Sequence, residues 1–255
     1  MLLARSLYLC GKRSEQKFKW TYSWNPARYW RLRSDYPDSW RWLVLAERIQ
    51  GFLSHAEGDR LFRLARDLSP SENPVLVEIG SWKGKSSVML AAGLAGKKNA
   101  KVYCIDSFAG DENPIYQERY YKPLLEQHPC DLEKVFRTNI SCCGLEHVAT
   151  PCKGFSFEWC ARWKLPIDVL FIDANHEYDA VLRDFDNWSP FVKIGGAIAF
   201  HDVGDQYEGP RHVVSQRLKP PAFGPVSIVN TLAWAIKCGV AVDVDTALQN
   251  ASAHV

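Results

Sequence analysis

Four apolar, strand-like runs in this chain end in groups that can do chemistry. Val75–Ile79 carries Glu78 and runs into Gly80, Lys101–Ile105 ends in Asp106, Ile167–Ile172 ends in Asp173, and Gly196–Phe200 ends in His201 and Asp202. In open α/β sheets, ligands bind beyond the carboxyl ends of the strands. Carboxylates gathered there make a polar floor for a cationic or hydroxyl-rich ligand. The stretch VLVEIGSWKGKSS, Val75 to Ser87, narrows the choice. An acid at the tip of a buried strand, then a tight glycine turn into a helix, suits an adenosine-containing ligand.

Glycine spacing separates the nucleotide chemistries. Gly80-Ser81-Trp82-Lys83-Gly84-Lys85-Ser86 imitates a P-loop, but three residues part its glycines where that motif needs four. A shorter loop cannot wrap a phosphate in the same way. The dinucleotide fingerprint fails as well, because position 82 is Trp.

These groups need a sheet to position them, and the apolar pattern supplies one. Strand and helix patterns alternate from Val75 onward: a helix over 84–95, helical character over most of 115–141, a short strand at 148–150 and a short helix at 155–163. Tyr178, Val181, Leu182, Phe185 and Trp188 mark a further helix by their spacing, and Arg211–Leu218 another. Val226–Asn230 and Leu232–Lys237 read as a closing antiparallel pair. Alternation of this kind predicts an α/β fold, a Rossmann-like doubly wound sheet of about seven strands, mostly parallel, with a C-terminal antiparallel strand. Ahead of it, Trp42, Leu45, Ala46, Ile49, Phe52 and Leu53 follow helical spacing, as do Leu61, Leu64, Ala65 and Leu68. The chain thus divides into a basic aromatic arm (1–44), a helical lead-in (45–73), the ligand-binding domain (74–240) and a tail (241–255).

Composition bounds the rest. The 255 residues, 47% hydrophobic, suffice for one large domain with an appendage. The net charge of +2 is too small to argue for nucleic acid. Residues 1–42 nevertheless hold nine Lys/Arg against three Asp/Glu, among many rings including Trp20, Tyr22, Trp24, Tyr29 and Trp30. So many rings need burial, which suggests an arm packed on the domain or on a second subunit of a homo-oligomer. A lid or a nucleic-acid arm are the other readings of that segment. The eight cysteines form no C-x-x-C pair, so neither a zinc site nor a disulfide framework is expected, and a reducing cytoplasm fits. Cys104, inside a strand, reads as a small buried hydrophobe. No apolar run is long enough to span a membrane.

The pattern E-x-G-x-x-x-G over Glu78 to Gly84 resembles motif I of class I S-adenosylmethionine-dependent methyltransferases. The stretch DVLFIDANHEYDAVLRDFDNWSPFVKIGGAIAFHDV is similar to a narrower group of small-molecule O-methyltransferases, which includes the macrocin sugar O-methyltransferases and proteins named cephalosporin hydroxylase. Their hallmarks are an Asp-x-x-His after the fourth strand, a helix bearing an Asp, a Gly-Gly before the fifth strand and an acid pair after it. This chain offers Asp173, His176, Asp184, Gly195-Gly196 and His201-Asp202, and the resemblance covers roughly residues 45–240. It implies that Glu78, Gly80, Ser81, Gly84 and Ser86 hold the cofactor in the first turn. Asp106, followed by Ser107, would accept hydrogen bonds from both ribose hydroxyls, and Gly154 and Ser156 would approach the adenine. Asp173 would serve both cofactor and acceptor.

Methyl transfer to oxygen needs a base with a pKa near the working pH, and His176, three residues past a strand end, is the expected base. A divalent metal would lower the acceptor hydroxyl's pKa, and the hard oxygens of Asp173 and Asp202 suit magnesium. The chain departs from the family at 201, where His stands in place of an acid. His201 could ligate a softer metal, could hydrogen-bond substrate, or could mark a metal-free site. Asp184, on a helix, reads as structural. Phe108, Tyr116, Tyr120, Tyr121 and His128 suggest a flat or sugar-like acceptor. The expected activity is O-methylation of a hydroxylated small molecule, sugar-bearing or polyphenolic. RNA methylation through the basic arm, and a non-catalytic cofactor-binding scaffold, are the alternatives.

Overall fold

A computed structural model describes residues 26–68, 73–110, 114–118, 122, 126 and 131–239. Trp20, Tyr22, Trp24, Tyr120, Tyr121, His128, the Tyr116 ring and the tail lie outside the described residues. Three helices lead in: α1 (Pro26–Asp35), α2 (Trp40–Ala46) and α3 (His55–Asp67). The sheet domain then runs β1 (Val75–Ile79), α4 (Lys85–Gly93), β2 (Lys101–Asp106), α5 (Leu132–Cys142), β3 (Ala149–Lys153), α6 (Ser156–Cys160), β4 (Ile167–Ile172), α7 (Tyr178–Trp188), β5 (Val192–Phe200), α8 (Glu208–Arg217), β6 (Ser227–Val229) and β7 (Leu232–Ile236).

The seven strands are ordered β3-β2-β1-β4-β5-β7-β6, with β1 to β5 parallel to one another and β7 antiparallel to both β5 and β6. The order reverses between β1 and β4, so the switch point lies where Gly80 and Asp173 emerge. Residues just past the strands stay in the ladder. The Gly80 amide donates to the Ile105 carbonyl at 2.9 Å, Asp173 to Ile79 at 2.8 Å and His201 to Ile172 at 3.1 Å. That continuation places the strand-end groups in a row along one sheet edge.

The strands bury both faces, as continuous apolar runs should. In β4, Val169 and Phe171 join the core shared with α3, α4 and α5, while Ile167, Leu170 and Ile172 join the core under α7 and α8. Leu32 of α1 and Leu43 and Ala46 of α2 belong to the first core, and α2 crosses the boundary expected at 44. The described part of the arm therefore packs on the domain.

The helix expected over 42–53 stops at Ala46. Ser54 starts a new helix with a capping box to Glu57, and the turn between leaves Phe52 85% exposed. Over 115–141 the described helical residues are a turn at Pro114–Tyr116, residues 117–118, 122 and 126, and α5, capped by Asp131 on the Lys134 amide. Gly195-Gly196 lies inside β5 rather than before it, where the pairing with β4 shifts register.

Candidate active site

Gly80 turns the chain out of β1 with φ +90°, and a Cβ there would sit 2.2 Å from the Asp173 carbonyl oxygen. Only glycine fits both the left-handed backbone and this close approach. The Glu78 carboxylate is fully buried and accepts from the Ser86 hydroxyl at 2.5 Å and from the Ser87 hydroxyl. Glu78 and Ser86 thus tie the strand to the start of α4. Gly84, the N-cap of α4, is buried against Phe136. Ser81 is different: its Oγ is buried and has no hydrogen-bond partner. An orphaned hydroxyl in the glycine turn fits a polar ligand group, as a cofactor's would be.

Asp106 organises the turn from the neighbouring strand. Its two oxygens accept from the Trp82 and Phe108 amides, both at 2.7 Å. Burial pushes its pKa up, against those amides and that of Ser81. With three amides on its two oxygens, the carboxylate keeps one lone pair for a further donor, such as a ribose hydroxyl. Ser107 closes its own turn, donating to the Gly110 carbonyl. The Gly154 amide donates to the Asp106 carbonyl at 2.9 Å, which brings the β3 loop alongside. The Ser156 hydroxyl donates to Asp184, which leaves its oxygen free to accept.

Past β4 and β5 the titratable groups converge. His201, 4% exposed, has Nδ1 at 3.4 Å from Asp173 Oδ1 and 3.3 Å from Asp202 Oδ2. Its Nε2 lies 3.5 Å from Glu57 Oε2, without hydrogen-bond alignment. Burial alone would lower the pKa of His201. Asp173, Asp202 and Glu57 outweigh it and push the imidazole up to about 12. At such separations each attraction is on the order of 5 kcal/mol even at an effective dielectric of ~20, enough for several together to overcome desolvation. Burial also opposes ionisation of Asp202, but His176 and His201 hold it well below the usual carboxylate range. Burial pushes Asp173 up, against the pull of His201. His176 brings Nε2 to 2.9 Å from Asp202 Oδ2 and stacks on Tyr207, ring centroids 4.2 Å apart.

Three non-glycine residues at this edge have positive φ: Trp82 at 42°, Phe108 at 50° and Asp202 at 57°. Such conformations cost about 1–3 kcal/mol each and gather where a site imposes them.

The sequence reasoning brought together Asp173, His176, His201 and Asp202, and the structure places them in one cluster. It missed Glu57 and Tyr207. The capping-box spacing Ser54-x-x-Glu57 is legible, but it announces a helix start and not a site. Nothing local to Tyr207 announces its stacking partner.

The donor set suits a divalent cation. Asp173, His201 and Asp202 each present a ligand atom within 4.8 Å of the others. The 3.3 and 3.4 Å separations match the edge of a tetrahedron with bonds of about 2.0–2.1 Å. Glu57 behind Nε2 is the carboxylate that a ligating histidine usually has on its far nitrogen. An imidazole among the donors favours manganese or zinc over magnesium.

A family model described as a methyltransferase domain matches residues 77–203. The uncharacterized protein R132 of Acanthamoeba polyphaga mimivirus is 42% identical over 45 residues, and this match spans 18% of the present chain and 20% of that protein. A putative O-methyltransferase from Klebsiella pneumoniae superposes with a TM-score of 0.57 at 15% identity, over 85% of this chain and 98% of that one. Cofactor-bound Rv0187 from MTB gives 0.55 at 17%, over 79% and 89%. The O-methyltransferase TomG from Streptomyces achromogenes, involved in Tomaymycin synthesis and solved with SAM, gives 0.53 at 14%, over 74% and 82%. At these identities the likeness to solved structures is one of fold.

Proposed function

This chain belongs to the class I S-adenosylmethionine-dependent methyltransferases, matched over residues 77–203, and on that premise we propose that its acceptor atom is a hydroxyl oxygen of a small molecule. The observation that carries this reading is the meeting of His176, Asp202, His201 and Asp173 beside the Gly80 turn. A hydroxyl is a weak nucleophile until it loses its proton, so a base and a cation-binding carboxylate set belong together at an oxygen acceptor.

S-adenosylmethionine, when bound, supplies the electrophilic methyl group. Ser81, the Gly80 turn, Asp106 and the Gly154 loop line the place for it. Nε2 of His176 lies 2.9 Å from Asp202 Oδ2 without hydrogen-bond alignment, and Tyr207 stacks on the ring, so the imidazole held between them is the group to take the acceptor's proton. Asp173, His201 and Asp202 are the residues that would hold a divalent cation, and such a cation lowers a bound hydroxyl's pKa. His201 must give up its Nδ1 proton to ligate, so proton and metal compete for the same place. For the acceptor we infer a sugar-bearing or polyphenolic compound. Support comes from the aromatic composition of 107–130 and from a protein of the same fold that takes part in Tomaymycin synthesis.

Incubation with methyl-labelled S-adenosylmethionine, Mn²⁺ and a panel of catechols, flavonoids and glycosides tests this reading. Label recovered in a methyl ether is the expected result. Label recovered only on nitrogen or on RNA would overturn it.

A further inference from the structure

Glu57 stands outside the matched domain, on the first turn of α3, yet its carboxylate reaches the site at the end of β5. It is 3% exposed. Oε2 accepts from the Ser54 amide at 2.9 Å and the Ser54 hydroxyl at 2.8 Å. Oε1 accepts from the Thr231 amide at 3.0 Å and the Thr231 hydroxyl at 2.8 Å. A capping box requires only the first of these contacts. The Thr231 pair pins the carboxylate from the opposite side, from the turn joining β6 to β7, and Asn230 adds a 2.9 Å bond to the Ser54 hydroxyl. What the pinned carboxylate faces is Nε2 of His201, at 3.5 Å. No other carboxylate is paired with that nitrogen among the described residues.

We propose that Glu57 is a positioning residue for His201. Its carboxylate faces Nε2 and so turns the ring to present Nδ1 to Asp173 and Asp202. The imidazole has two nitrogens, and which one is free depends on what its other nitrogen meets. The two carboxylates beside Nδ1 attract the ring from that side only. Glu57 is the counterweight, and it makes the helical lead-in a working part of the site. As a statement about cation affinity this inference rests on the metal reading given above. Its claim about ring orientation does not.

The test uses the full chain and Mn²⁺ alone, followed by calorimetry, together with ¹⁵N NMR of the His201 ring. Glu57→Gln should weaken Mn²⁺ binding by about 10–100-fold, the usual effect of losing an outer-shell partner. Leu64→Val is the control. It loosens the packing of α3 in the core but leaves the Glu57 carboxylate and its four bonds, so it should lower the melting temperature with Mn²⁺ affinity within about threefold of the parent. Unchanged Mn²⁺ affinity in Glu57→Gln, or equal losses in both variants, would overturn the proposal. If the parent chain binds no Mn²⁺, the metal reading fails, and the NMR measurement decides alone. A protected Nε2–H signal lost in Glu57→Gln but kept in Leu64→Val supports positioning, whereas the same spectrum in all three contradicts it.

Discussion

Oδ2 of Asp202 lies 2.9 Å from Nε2 of His176, and the same oxygen lies 3.3 Å from Nδ1 of His201. One carboxylate therefore serves two imidazoles with different environments. His201 is buried among three acids, while His176 stands at the rim on Tyr207. On the proposed function, this division would give the two histidines different work, a fixed inner group and a proton acceptor.

His176→Ala should lower kcat for a hydroxylated acceptor by about 10²–10⁴-fold, the usual contribution of a positioned base. Affinity for S-adenosylmethionine should hardly change. Steady-state kinetics beside calorimetry separates the two, and full turnover in the variant would remove His176 as the base.

Gly80→Ala places a Cβ 2.2 Å from the Asp173 carbonyl oxygen in a left-handed backbone. The backbone conformation alone costs about 1–3 kcal/mol, and relieving the clash must part β1 from β4 at the ligand-binding edge. Thermal unfolding should show a lowered melting temperature, and calorimetry should show cofactor binding lost. A variant that melts and binds as the parent does would mean the turn is looser than described.

Burial pushes Glu78 up to about 7, only partly offset by the Ser86 and Ser87 hydroxyls. The folded chain thus keeps a proton that the unfolded chain releases near 4.5. The stabilisation from this group is complete below the unfolded value and is lost as pH rises through the folded one, a fall of roughly 3 kcal/mol. Urea denaturation at about pH 5 and about pH 8 measures it. Glu78→Gln should flatten this part of the profile, and an unchanged slope would contradict the assignment.

Mn²⁺ at about 100 times its dissociation constant should stabilise the fold by about 2.7 kcal/mol. Chelator should reverse the gain, and Asp173→Asn should abolish it. A thermal shift that survives Asp173→Asn would place the ion elsewhere.

Much of this fold is readable in the chain because parallel strands buried on both faces are nearly unbroken apolar runs. Val75–Ile79, Lys101–Asp106 and Ile167–Ile172 match their expected bounds to within a residue. The strand-end groups line up because the ladder continues one residue past each strand. Side-chain direction was not readable in the same way. The acid of β1 has Ser86 and Ser87 as partners, the Ser156 hydroxyl donates to Asp184, and no local pattern announces either pairing. Helical spacing carried on past Ala46 to Phe52, yet the Ser54 cap restarts the helix and leaves Phe52 outside. Glu57 was hidden for a different reason: its partners come from two distant turns that only the folded sheet brings near.

The most direct test of the central claim is calorimetric titration of S-adenosylmethionine into the full chain and into Asp106→Ala. Saturable binding of one equivalent by the parent, strongly weakened in the variant, is the predicted result. A parent chain that takes up no S-adenosylmethionine, or a variant that binds it as tightly, would contradict the site described at the ends of β1 and β2.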